Sequence, residues 1–297
     1  MSIAWMFPGQ GAQATGMGKD LYEKGGRARA VFDAADEALG FPLTEICFLP
    51  EHAEKLNRTA YAQPALLTVS LAAAALLGDQ KPDYVLGLSL GEYSALAAAG
   101  GLNPADAARL VHKRGLWMAE AVPPGEGAMS AVMNLPRDLV AAACAESADA
   151  GLAVPANFNT PDQIVISGQI AAVEKAEKLA LEKGARRVIR LKTDGPFHTP
   201  LMAPAAEKLA AELGAMEIAP LRYPLVTNTI ARPIGWAEIK QNLVRQMVGP
   251  VLWEDSVRWL IGQGVDTFIE VGPGNTLVNF VKKIDPAMRA VSYREIV

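Results

Sequence analysis

Cysteine and histidine are the scarce residues of this 297-residue chain, with two of the first and three of the second. Cys47 and Cys144 stand far apart without CxxC spacing, so they build neither a disulfide scaffold nor a cysteine-based zinc site. With only His52, His112 and His198 available, a histidine-rich metal centre is excluded, and any imidazole chemistry must use one of these three. An excess of charge is missing too. Twenty-eight Lys+Arg against 32 Asp+Glu leave a net charge of -4, which argues against nucleic acid as a general partner. The start, MSIAWMFPGQGAQ, lacks the charged n-region and apolar run of a signal peptide. Thr59 to Gly78 carries no charge, but Pro64 is expected to break it, leaving a helix Ala65–Leu77 shorter than the ~20 residues a bilayer requires. A cytoplasmic protein without membrane association is expected.

What is present is apolar residue in quantity. At 51% hydrophobic and 20% charged, without low-complexity tracts, the chain can bury a large core. At ~150 residues per domain its length suggests about two domains. In the first part, short apolar runs alternate with helical patterns. IAWMF precedes an amphipathic stretch to about Leu39 and the Ala65–Leu77 helix; YVLGL precedes a helix from Leu90 to about Ala99. Alternation of this kind reads as βα units around a mostly parallel sheet. PPGEG, at residues 123–127, breaks the pattern. Between 128 and 191 the order becomes βαββαβ: AMSAVM, the helix PRDLVAAACAESA with proline in its first turn, AVPANF, QIVISG, the helix IAAVEKAEKLALEKG and RRVIRL. That order matches a ferredoxin-like unit. YPLVTN, a helix from about Trp236 to Val248 and TFIEVG return to the first pattern. The expected fold is α/β: a large α/β-hydrolase-like domain (1–126 and 196–297) with a mostly parallel sheet, and an inserted ferredoxin-like subdomain (127–195).

Gly87-Leu88-Ser89-Leu90-Gly91 lies between a strand and a helix. In a nucleophile elbow a serine occupies such a turn, flanking glycines keep Cβ atoms out of the way, and the helix N-terminus stabilises an oxyanion. A serine there needs a base. His52 lies in polar EHAEKL and reads as a surface residue, and His112, in helical LVHKRG, reads as a helix-face residue. His198 lies in DGPFHTP, a loop at the expected domain junction, where a cleft is best placed. His198 is therefore the candidate base. Directly after the first strand, the two glycines of Phe7-Pro8-Gly9-Gln10-Gly11-Ala12-Gln13 permit close backbone approach to a ligand. An ordinary βα turn carries the same glycines. No phosphate loop is present.

Taken together, GQGAQ, GLSLGEYSAL, Arg114-Gly115, GPFH and EVGPGNTL occur in the order found in malonyl-CoA:acyl-carrier-protein transacylases, and the chain resembles that acyltransferase family from Phe7 to about Leu277. TAYAQPALL, VPANFNTPDQIVISG and LVRQMVGPVLW extend the likeness. The resemblance implies that Ser89 is acylated by malonyl-CoA and that His198 is its base. Backbone N–H groups of Gln10 and Leu90 would form the oxyanion hole, and Arg114 would hold the malonyl carboxylate. Gln246 would orient His198 through its carbonyl, while Phe197, Gln63 and Asn159 would line the substrate site. Many relatives carry histidine where this chain has Leu88. A serine ester splits acyl transfer between thiols into two half-reactions, so no metal or redox cofactor is required. The implied partner is an acyl carrier protein, acidic on its recognition helix, and the enzyme is expected to be a monomer. Lys183, Arg186, Arg187, Arg190 and Lys192 form a basic cluster suited to docking it; Lys282, Lys283 and Arg289 form another. A solvated basic face has the same composition. Supply of malonyl groups to fatty-acid synthesis is the expected role. A trans-acting polyketide acyltransferase, an acyl hydrolase and a non-catalytic carrier-binding relative are the alternatives. Intact Ser89 and His198 argue against the last, and Arg114 argues against a hydrolase of neutral acyl chains.

Overall fold

The computed structural model describes residues 2–78, 80–193 and 195–297; Asp194, the first residue of the DGPFHTP loop, lies outside them. Nine strands occur in chain order: β1 (Ile3–Phe7), β2 (Tyr84–Gly87), β3 (Gly127–Met133), β4 (Ala153–Thr160), β5 (Gln163–Gln169), β6 (Arg187–Arg190), β7 (Leu225–Val226), β8 (Thr267–Glu270) and β9 (Arg289–Ser292). Five form a parallel sheet in the order β7-β2-β1-β8-β9. Its centre is apolar on both faces, as helical cover on each side demands. Along β1, Ala4 and Met6 pack with Trp253 and Leu260 on one face, whereas Trp5 and Phe7 join the larger core on the other. The alternation is that of a strand's period of two. The helices Ala203–Ala215, Trp253–Gly262 and Thr276–Ile284, and the edge strand β9, complete this layer. They have no counterpart in the sequence-based expectation.

The other four strands form an antiparallel sheet in the order β4-β5-β3-β6, the arrangement of a ferredoxin-like unit. The Arg137–Ala145 and Ile170–Glu182 helices cover one face, over Val132, Ile164 and Ile166. The opposite face, with Met129, Ala131 and Val165, joins the large core and walls the cleft described below. Pro136 sits at the N-cap of its helix and not within the first turn as expected. Pro155 is tolerated because β4 is an edge strand with a register shift at that point. The outer side of β4 is stitched to the large sheet's layer: Val251 donates its N–H to the Ala156 carbonyl (2.8 Å) and accepts from Phe158 N–H (2.9 Å).

Pro64 does not break its helix. One continuous helix runs Thr59–Leu76, so the argument from a short apolar segment fails. Burial replaces it: the helix is long and apolar enough to cross a membrane, but 78% of it is buried inside the protein, packed against the Gly26–Leu39 and Pro104–Glu120 helices. Proline survives there for a local reason. Its missing N–H would have served the Ala60 carbonyl four residues back, and His112 Nδ1 donates to that oxygen instead, at 2.8 Å. His112 is thus a structural partner of Pro64. His112→Leu, which leaves this carbonyl unserved, is expected to lower stability by about 1–2 kcal/mol. Denaturant unfolding checks this, and an unchanged midpoint would refute it.

Candidate active site

The elbow after β2 is a backbone device. Ser89 adopts φ 53°, a left-handed conformation that costs a non-glycine residue about 1–3 kcal/mol and survives only where surroundings enforce it. Asn228, two residues beyond β7, provides the enforcement. Its Oδ1 accepts the Ser89 N–H at 2.8 Å and its Nδ2 donates to the Gly87 carbonyl at 2.7 Å, so one side chain spans the turn. The flanking glycines are steric requirements. A Cβ on Gly87 would lie 1.9 Å from the Gly91 carbonyl carbon, and one on Gly91 would lie 2.0 Å from the Phe7 carbonyl oxygen. A Cβ on Gly9 would lie 2.5 Å from the Leu88 oxygen, so the loop after β1 and the elbow touch backbone to backbone. The N–H groups of Gln10 and Leu90 have no acceptor among the described residues. Leu90 is also the N-cap of the Gly91–Ala98 helix, whose dipole favours negative charge at this point. The Gln10 side chain is held by Thr59 Oγ1 at 3.0 Å.

Ser89 Oγ lies 2.7 Å from His198 Nε2, and His198 Nδ1 lies 2.9 Å from the Gln246 carbonyl oxygen. A carbonyl only accepts, so Nδ1 carries the proton and Nε2 offers its lone pair to the serine. His198 is 4% exposed and has φ 62°. Burial first, and the Arg114 charge second, push its pKa down to about 4, which keeps the imidazole neutral at physiological pH. Arg114 is 1% exposed, yet among the described residues no acid pairs with it. Its Nη1 donates to Gln63 Oε1 (2.8 Å), its Nη2 to Gln246 Oε1 (3.1 Å) and, at 3.5 Å, to Ser89 Oγ. Its Nε has no partner, and its guanidinium lies 5.0 Å from the Tyr93 ring centroid. A buried guanidinium fixed by neutral amides keeps charge to offer an incoming anion.

These groups surround a cavity of about 320 Å³ between the two sheets. Ser89, His198 and Arg114 occupy its floor; Phe197 and, from the antiparallel sheet, Met129 and Val165 supply apolar wall. Gln63 lies within the lining, its Nε2 on Met118 Sδ and its Oε1 on Arg114. Asn159 also faces the cavity, with Nδ2 on Gln163 at 2.9 Å and Oδ1 without a partner. Leu88 also contributes wall. The basic cluster is divided. Lys192 lines the cavity, and Arg186 and Arg187 are exposed without an ion pair among the described residues. Lys183 instead pairs with Glu146 (2.7 Å) and Arg190 with Glu177 (2.9 Å), away from the cleft on the helical face. In the second cluster Lys283 pairs with Asp162 at 3.1 Å.

Sequence reasoning missed Glu92, Asn228 and Asn242, which form the floor beneath the elbow. An acid within the otherwise apolar and small GEYSALAA helix, and an asparagine at the carboxyl end of a buried parallel strand, were the available signals. Glu270, in EVGPG, is a buried cap: its Oε2 accepts the Val278 N–H at 2.9 Å, and burial pushes its carboxyl up to about 7.

Residues 4–292 match the model of the acyl transferase domain family. The chain is 46% identical over 294 residues to the malonyl CoA-acyl carrier protein transacylase of Bacillus subtilis (strain 168), covering 98% of this chain and 92% of that one. Among solved structures it is similar to an acyl carrier protein S-malonyltransferase from Vibrio cholerae, with a TM-score of 0.94, 40% identity and coverage of 98% and 96%. It is equally similar to a malonyl-transacylase solved in complex with its type II PKS acyl-carrier protein, with a TM-score of 0.95, 39% identity and the same coverage.

Proposed function

This chain belongs to the acyl transferase domain family, and from that premise we propose how its cleft performs malonyl transfer. The enzyme is an [acyl-carrier-protein] S-malonyltransferase: it moves the malonyl group of malonyl-CoA to the phosphopantetheine thiol of an acyl carrier protein, for fatty-acid synthesis. The observation that carries the mechanism is a serine in an enforced elbow, 2.7 Å from a neutral histidine and beside an arginine whose direct partners are neutral amides. In the first half-reaction Ser89 Oγ attacks the thioester carbonyl as His198 Nε2 takes its proton. The carbonyl oxygen gains the negative charge and is met by the Gln10 and Leu90 N–H groups. Collapse breaks the carbon–sulfur bond, His198 returns the proton to the CoA thiolate, and a malonyl ester stays on Ser89. In the second half His198 Nε2 takes the proton of the carrier thiol, whose sulfur attacks the ester carbonyl; collapse breaks the carbon–oxygen bond to Ser89, and His198 returns the proton to Ser89 Oγ.

Arg114 has two parts in this scheme. It pairs with the malonyl carboxylate in a cleft where that group loses water. It also depresses the His198 pKa, so a bound carboxylate offsets its charge and makes the imidazole a better base. Substrate charge and base strength are thereby linked. Each charge and proton in the two half-reactions has its own side chain or N–H group, and we propose that no cofactor takes part. We further propose a cytoplasmic monomer in which residues 127–195 are an inserted subdomain and the remainder carries the elbow.

For carrier docking, strand geometry selects among the basic residues. Arg187 pairs with Met133 and Ile189 with Ala131, so both lie on the sheet face that walls the cleft, whereas Arg190 pairs with Ser130 on the helical face. Arg187 on that face and Lys192 in the cavity lining, joined by the exposed and unpaired Arg186 next to Arg187, are the proposed docking groups. Reversing Arg186 and Arg187 to glutamate is expected to raise KM for the carrier roughly tenfold and leave malonyl-CoA loading unchanged, with salt weakening transfer over a screening length of ~8–10 Å. Steady-state kinetics with malonyl-CoA and purified carrier read this directly. If loading and transfer fall equally, or if Lys183→Glu matches the double reversal, docking lies elsewhere.

A further inference from the structure

Three residues after the nucleophile, Glu92 turns its carboxylate inward and is fully buried. Its oxygens accept three N–H donors: the Asn228 backbone at 2.8 Å, Asn242 Nδ2 at 2.7 Å and Gln246 Nε2 at 3.3 Å. With the three groups oriented as they are, a neutral carboxyl would have to aim its own O–H toward one of these donors. The donor set therefore favours the ionised form, although burial pushes the carboxyl up to about 7. The cation acting on it is Arg114, held at one remove.

Gln246 makes the connection. Its Nε2 faces Glu92 and also donates to the Ser89 carbonyl at 2.9 Å; its Oε1 accepts from Arg114; its main-chain carbonyl accepts from His198 Nδ1. Glu92 also accepts the N–H of Asn228, the residue that spans the strained elbow. One acid thus fixes the supports of the nucleophile, the base and the carboxylate partner. We propose that Glu92 supplies to His198, across Gln246, the negative charge that a directly bonded aspartate supplies in a Ser-His-Asp triad. It holds the Gln246 carbonyl under the imidazole and stabilises the imidazolium formed as Ser89 is acylated. Glu92 touches neither substrate nor reacting atoms, so it is a positioning residue. The inference rests on the serine–histidine reaction proposed above.

Glu92→Gln separates charge from shape. The new amide oxygen replaces Oε2, and the new NH2 meets Asn242. That residue's own amide can turn over, because the Thr229 hydroxyl that now donates to Asn242 Oδ1 can accept instead. In the intact enzyme, Glu92→Gln is expected to lower kcat for malonyl loading roughly tenfold or more, as loss of a through-protein charge would. KM should stay the same or fall, because Arg114 loses an opposing anion. Acetyl-CoA loading should drop by the same factor in kcat, since both substrates use His198. Glu92→Asp keeps the charge on a shorter arm and should retain more activity than Glu92→Gln. Wild-type kcat in Glu92→Gln, a raised KM at unchanged kcat, or an Asp variant slower than the Gln variant would each overturn the proposal. Should circular dichroism find Glu92→Gln unfolded, Glu92→Asp carries the test: its kcat must lie nearer wild type than His198→Ala. Intact mass of the wild type with malonyl-CoA is read in parallel. A missing Ser89 adduct defeats the underlying reaction, whereas a normal adduct with a fully active Glu92→Gln defeats only the role of Glu92.

Discussion

Malonyl-CoA is expected to add a single malonyl group to the protein, and Ser89→Ala to abolish the adduct. The expectation follows from the elbow. Two glycines whose Cβ atoms would strike backbone at 1.9–2.0 Å, and an asparagine spanning the turn, exist to hold one residue at φ 53° with its hydroxyl on His198. A serine placed there for structure alone would not need an imidazole lone pair 2.7 Å away. His198→Ala should keep the fold and slow both half-reactions by roughly 10²–10⁴-fold, the usual contribution of a positioned acid–base group. Peptide mapping of the adduct and single-turnover transfer to the carrier measure the two effects. An ester that persists in Ser89→Ala, or a wild-type rate in His198→Ala, would remove the corresponding residue from the reaction.

Ser89, Gln10 and His198, which the structure brings to one cleft, were legible in the sequence because the backbone demands local spacing around them. Gly87 and Gly91 flank Ser89 within five residues, Gly9 and Gly11 flank Gln10, and Gly195 and Pro196 precede His198. The supports were not legible, for they come from afar: Asn228 and Asn242 reach the elbow across more than a hundred residues, and Glu92 shows only as an acid in an apolar helix. Pro64 misled for a related reason. A proline ends a helix when its orphaned carbonyl has no other donor, and the donor here is His112, 52 residues away from Ala60. The basic run 183–192 read as one surface, yet strand alternation sends Arg190 to one face of the sheet and Arg187 to the other. The order of elements in the βαββαβ unit, by contrast, follows from local periodicity and turn residues, and β4-β5-β3-β6 is the arrangement that order implies.

Selectivity among acyl groups is expected to reverse when Arg114 is removed. Arg114 sits 1% exposed with an unpaired Nε and no acid in direct contact, its nearest acid Glu92 being held at one remove behind Gln246, so a malonyl carboxylate entering the cleft meets a guanidinium still open to direct pairing. Hydrogen bonds to charged groups are worth ~1.5–3 kcal/mol each, so a two-bonded carboxylate gains several kcal/mol that an acetyl group cannot. Arg114→Ala should therefore lose malonyl loading by roughly 10²-fold or more. Acetyl loading should be kept or even rise, because the same arginine depresses the His198 pKa and its removal strengthens the base. Phe197 is expected to set a steric limit on the acyl group. Next to His198, 6% exposed and in the cavity wall, it is expected to fill the space that an α-methyl would need. Phe197→Ser should admit methylmalonyl-CoA while leaving acetyl-CoA poorly used, since the arginine still selects for a carboxylate. Competition among the three thioesters, read as relative kcat/KM for wild type and both variants, tests the two roles separately. Equal loss of acetyl and malonyl transfer in Arg114→Ala would show that the arginine holds the cleft together without holding the substrate. Unchanged exclusion of methylmalonyl-CoA in Phe197→Ser would assign the steric limit to other wall residues, such as Met129 and Val165, which line the same cavity.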